Sequence, residues 1–323
     1  MVSTRVVVLM LGMASWHLAL RAEDRLELLP GKEGTASSVR GEITDISGGQ
    51  VRVRRADGKE DVVPWTRVRK IHTKWPDQAA VGDQRMAEGK FEQAVEAYRA
   101  ASAADTRVWV KREMAARACT AFRELSQVQK AGELFLSLYR ADPMLSQFEV
   151  IPLAWMTVEP RDEIDKVASQ WLAADDSPAA TLLGASWRIA VGKHQGVQEP
   201  LQRLTTHRDS RIALLAEAQL WRLRLATTAE SDVESWERVV RKMPAALRAG
   251  PYFVVGQAWA RLEQHDRAAM AWMRIPIEFS GQRGLAARSL ELAAEQFDLA
   301  QMPEQANQLR KERSERFVTE VTP

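Results

Sequence analysis

Cysteine is almost missing from this sequence. Cys119 stands alone among 323 residues, which excludes an intrachain disulfide framework and any cysteine-rich metal site. Histidine is scarce too. His72, His194, His207 and His265 are scattered, and none shows the i, i+4 spacing of a helical metal pair. No Gly-x-Ser-x-Gly elbow occurs. Gly82 and Gly89 are spaced too far apart for a Walker A loop, and Phe91 stands where that loop needs Ser or Thr. Asp175 and Asp176, ahead of Ser177 and Pro178, read as helix-capping chemistry rather than as an acid and a base. Net charge is also missing. At +2 over the whole chain, no long-range field draws the protein to nucleic acid or membrane. These absences predict a protein with no catalytic residue, no cofactor and no metal.

What is present is globular in character, with 46% hydrophobic and 27% charged residues. The longest apolar run lies within residues 1–22, where Arg5, the run from Val6 to Ala14, and small residues up to Ala22 have the layout of an export signal. Cleavage is expected after Ala22, giving a periplasmic or secreted protein, with an uncleaved anchor as the alternative. The run is too short for a comfortable membrane span, which takes about 20 residues. No cysteine lies near the cleavage region for lipid attachment, and no twin arginine precedes the run.

Residues 23–74 alternate with a period of two, as in Leu26-Glu27-Leu28, Val39 to Ile43, and Val51-Arg52-Val53-Arg54. Ser47-Gly48-Gly49-Gln50 and Ala56-Asp57-Gly58-Lys59 read as hairpin turns. Five strands fit, near 25–29, 38–46, 50–55, 60–64 and 68–72. So small a set cheaply hides its edges only by closing, so an SH3-like barrel is expected, with Val51, Val53, Val62, Val68 and Ile71 inside. Arg52, Arg54, Arg67 and Arg69 pair up on sheet faces, either as a solvated surface or as a grip on an anionic glycan or nucleic acid.

From Trp75 onward the period is helical. Residues 81–101 read as a helical hairpin: Gly82, Ala94 and Ala101 are small where two helices must touch, Tyr98 fills the gap beside them, and Gly89 takes the turn. A second unit places Ala131 and Phe135 where the first has Ala94 and Tyr98, and puts Cys119, as a core residue, where the first has Gly82. Gly256, Ala268 and Trp272 repeat the pattern, and Ala306 ends it. Ala94, Ala131, Ala268 and Ala306 are offset by 37 residues at one end and 38 at the other, with Gly196 and Asp232 filling the middle. Residues 144–176 break the register and read as an irregular insertion or a degenerate repeat, with a helix expected from Arg161 to Ala173.

This spacing resembles the tetratricopeptide repeat (TPR), a helix-turn-helix unit of about 34 residues. The whole layout is similar to exported bacterial TPR proteins with a small N-terminal β module. The resemblance implies a mainly α solenoid over residues 75–323, whose first helices line a concave groove, and it implies no catalysis. Carried onto this chain, the groove positions are Arg123, Arg188, Arg224 and Arg261, with Trp221 and Gln257 beside them. Arginine forks there favour the carboxylates of an acidic peptide or chain end. The expected function is therefore a non-enzymatic protein-binding scaffold, with anionic-polymer binding through the β module as the alternative.

Overall fold

The computed structural model describes residues 24–30, 37–174 and 176–317; the expected export signal lies outside them. Among these residues five strands come first, β1 (Asp24–Leu28), β2 (Ser38–Ser47), β3 (Gln50–Arg54), β4 (Glu60–Pro64) and β5 (Val68–His72). All pair antiparallel in the order β4-β3-β2-β1-β5. Alternation buries Leu26, Leu28, Ile43, Ile46, Val51, Val53 and Val63. Val62, expected in the core, faces solvent at 50% exposure. It sits opposite Arg52, whereas Val63 sits opposite Val51. Gly48 and Gly49, both at positive φ, make the β2–β3 turn, as a two-residue hairpin loop requires. Gly41 lets β2 change partners, pairing with β1 up to that point and with β3 beyond it. A Cβ there would lie 2.3 Å from the Arg54 carbonyl oxygen.

The sheet is not closed. β4 and β5 stand at opposite ends of the strand order, joined by a single 3-10 turn at Trp65–Arg67. Its inner face is covered by helix instead.

Thirteen α-helices follow: α1 (Asp77–Ala87), α2 (Phe91–Ala104), α3 (Val108–Glu124), α4 (Val128–Ala141), α5 (Asp162–Leu172), α6 (Pro178–Ala190), α7 (Gln198–Leu204), α8 (Ser210–Arg224), α9 (Glu230–Lys242), α10 (Ala249–Arg261), α11 (His265–Glu278), α12 (Arg283–Leu299) and α13 (Pro303–Arg316). Short turns link most of them, so sequence neighbours pack as antiparallel hairpins. The small positions do what close approach demands. A Cβ on Gly82 would meet the Tyr98 ring at 2.4 Å, and one on Gly256 would meet the Trp272 ring at 2.5 Å. Ala94, Ala101, Ala131, Phe135, Ala268 and Ala306 are completely buried, and Gly89 takes its turn at φ 76. The middle of the expected series fails. Gly196 lies in the turn before α7, and Asp232 caps α9, its carboxylate accepting from the Ala229 amide at 3.0 Å. The true contacts there are Gly132 against the Trp171 ring and Gly184 against the backbone of Ala168 and Leu172. Within the insertion the expected helix is present as α5, and residues 142–161 before it carry only one 3-10 turn.

Sheet and helices share one apolar cluster, which runs from Leu26 to Leu247, while a second gathers residues from Ala218 to Phe317. The Trp109 indole donates to the Ile43 carbonyl at 3.1 Å, and Trp75 packs edge-on against Trp109. Asp105 and Arg107 form a fork before α3, from which Arg107 also reaches Thr73 and the Lys74 carbonyl. Asp209 and Arg211 repeat it at the start of α8, where Arg211 donates to the carbonyls of Leu145 and Pro143. Each fork ties a helix start to an earlier stretch of chain.

Candidate functional site

The irregular stretch after α4 does not loop out into solvent. It makes one 3-10 turn at Phe148–Val150, then runs without regular structure from 151 to 158 against the helices. Ile151, Leu153 and Ala154 are buried. The residues of this strap line cavities together with residues of α3, α6, α8, α10 and the start of α12, and Ala154 is bonded by α6 and α8.

Its backbone is held by side chains. Ser186 accepts from the Ala154 amide at 3.0 Å and donates to the Ala154 carbonyl at 2.9 Å. The same carbonyl accepts from Arg222 at 2.8 Å and from Gln219 at 3.4 Å. The Trp187 indole donates to the Pro152 carbonyl at 2.8 Å, and Val158 donates to the Ala190 carbonyl at 3.0 Å. Bonding of side chains to ligand backbone is how a groove fixes an extended segment whatever its side chains. Trp155 then projects onto α10, where only a glycine fits: a Cβ on Gly250 would lie 1.8 Å from the indole. Arg222 has oxygens of Ala154, Ser186 and Gln219 around it but no carboxylate, and burial pulls its pKa down to about 9.

Past the strap lies a cavity of about 470 Å³. α10 contributes Phe253, Gln257 and Arg261, α12 contributes Arg288, Leu292 and Gln296, and Trp272 of α11 and Met156 and Thr157 of the strap complete the wall. On each helix these residues fall three or four apart, one face of a 3.6-residue turn. Arg261 also donates to the Ala226 carbonyl at 3.0 Å, and Arg288 pairs with Glu291 at 2.8 Å. Gln296 is held by His265 at 2.8 Å. The cavity thus presents two anchored guanidiniums and two amides over an aromatic floor.

Of the expected groove residues, Arg261 and Gln257 meet in this cavity. Arg123 lies elsewhere, lining a cavity with the strap and paired with Glu124 at 3.2 Å. Arg188 turns instead to α5, donating to Ser169 at 2.7 Å beside Asp165. Arg224 stacks over Trp236. Trp221 is fully buried with its ring stacked on Trp236 at 5.1 Å, a core residue rather than an anchor. The four arginines therefore form no single stripe. Arg288, Gln296 and the strap were missed from the sequence. Arg288 and Gln296 sit eight apart on α12, a spacing that had been readable, but the strap carries no periodicity at all.

Cys119 is buried against the Ala131 and Val150 carbonyls, and burial pushes its thiol up to about 12. That is core chemistry, not nucleophile chemistry. On the β module, Arg52 and Arg54 face Glu60 and Glu42 at 4.0 and 3.6 Å. Among the described residues no cluster of side chains fit to hold a metal ion occurs, and no helix is long and apolar enough to cross a membrane. No protein-family model matches the chain, and no curated protein matches it by sequence.

Proposed function

We propose that the chain is an exported, TPR-like, non-enzymatic scaffold that binds an extended segment of a partner protein in its inner groove. The observation that carries this reading is the strap: its backbone lies across successive inner helices, held at Ala154 by Ser186, Gln219 and Arg222. A surface that holds one extended segment this way suits another entering alongside it. The space left for a partner is the cavity around Gln257, Arg261, Arg288 and Gln296, whose guanidiniums favour a carboxylate on the incoming segment. The sheet, with β5 paired to β1 and a 3-10 turn between β4 and β5, fits an opened relative of the SH3-like barrel and serves as a cap on the first helices.

Anionic-polymer binding by the β module is the weaker reading, because the carboxylates of Glu42 and Glu60 stand beside Arg54 and Arg52. The test is affinity purification from envelope extract, comparing the intact chain with Arg261→Glu/Arg288→Glu. A partner captured by the first and lost by the second supports the groove. Equal capture by both sinks it.

A further inference from the structure

A second cleft, on a different face of α3 from Cys119 and Arg123, lies outside the groove. It measures about 650 Å³. Its floor is Met114, Ala115, Ala118 and Phe122 of α3; Tyr98, Arg99 and Ala103 of α2 form one wall, and Lys130 and Leu134 of α4 form the other. The floor residues run along the helix axis for about 12 Å, at 1.5 Å per residue from Met114 to Phe122. Two of them are alanines, so a body laid in the trough approaches the α3 backbone closely.

The charges around it are uneven. Arg99 and Lys130 stand over the Phe122 ring from the two walls, at 5.8 and 5.7 Å from its centroid. Lys111 lies at one end, and Glu133 is the one acid in the lining. Arg99 is paired with Glu96 at 2.8 Å. Lys111 and Lys130 have no ion-pair partner among the described residues, and both are exposed. An apolar trough two helical turns long with unpaired cations on its rim matches one kind of ligand. That ligand has apolar side chains a turn apart and carboxylates on either side of them.

We infer that this cleft is a docking site for an acidic amphipathic helix of a partner protein, separate from the groove that receives an extended segment. The chain then engages partners through two unlike surfaces. A helix is favoured over an extended strand because the trough offers no sheet edge and its walls are helix sides, into which a third helix packs ridge to groove.

The experiment uses the full chain and a fluorescein-labelled amphipathic peptide of about 18 residues, with Leu at i and i+4 flanked by Glu, read by anisotropy. Controls are the same peptide with Lys for Glu, and vesicles with about 30% anionic lipid. The Glu peptide is expected to bind and the Lys peptide not to. Lys111→Glu/Lys130→Glu should weaken binding about tenfold, two reversed surface contacts each giving roughly threefold or more. Ala115→Gln, which fills the trough without changing charge, should weaken it while thermal stability holds. Arg261→Glu/Arg288→Glu should leave it unchanged, which separates this site from the groove. Equal binding of the two peptides, survival of binding in the Lys111/Lys130 variant, or binding to vesicles without binding to peptide overturns the inference.

Discussion

Gly250→Ala tests whether the strap is seated by shape. A methyl there would lie 1.8 Å from the Trp155 indole and 2.1 Å from its next ring atom, so the ring must leave. Trp155 is half-buried. A tryptophan buries about 150–250 Å² when enclosed, so expelling this one exposes roughly 100 Å². At about 25 cal/mol per Å² the loss is about 2.5 kcal/mol. Alanine in the first turn of α10 returns at most about 1 kcal/mol of helix propensity. The net loss of about 1.5–2.5 kcal/mol lowers Tm by about 2–4 °C for a chain of this size, whose unfolding entropy at Tm is about 0.7 kcal/mol per degree. Circular dichroism on thermal unfolding measures it, with Gly281→Ala, where nothing lies within 4 Å of the new methyl, as the neutral control. Trp155→Ala should cost about the same, and the double variant little more than either, because the ring cannot be lost twice. An unchanged Tm in Gly250→Ala, or additive losses in the double variant, would refute the seating of Trp155 on α10.

Two further outcomes are expected. Cys119 should not react with a thiol reagent at pH 8 while the chain is folded, since burial raises its thiol to about 12, and should react at once in denaturant; fast labelling of folded protein would place the thiol at the surface. Hydrogen bonds from Arg107 hold the Asp105 carboxyl below its ordinary value of 3.8. A depressed carboxyl stabilises the fold above its unfolded pKa, and that contribution is lost as pH falls through the folded value. Stability measured between pH 7 and pH 3 should therefore fall less steeply in Asp105→Asn, which starts lower at neutral pH; parallel curves would exclude the fork as an acid-sensitive tie.

Much of the fold was legible because it rests on local periodicity. The five strands announced themselves by alternation and by Gly48-Gly49, and the first hairpin by Gly82, Ala94 and Tyr98. Closure of the sheet was not legible, since it depends on whether β4 and β5 meet, and a helix can cover the same apolar face. Val62 and Val63 are adjacent valines, so only the register with β3 decides which one is buried. The lining of the cavity beyond the strap was half legible. Arg261 and Gln257 followed from their place on α10, but Arg188 and Arg224 were claimed by neighbours on α5 and α9 that no repeat spacing encodes. The strap was invisible for a plainer reason: Trp155 and Gly250, or Ala154 and Arg222, are far apart in sequence and share no period.

The contact between the Gly284 amide and the Glu124 carboxylate, 2.9 Å long and spanning 160 residues, changes how such an array must come apart. In an open stack each unit touches only its neighbours, so unfolding starts at an end and spreads piecewise. Here the start of α12 meets the end of α3 directly, beside the strap. Releasing α12 therefore also costs α3 a partner, so the last helices are tied to the first ones by a contact that an open stack lacks.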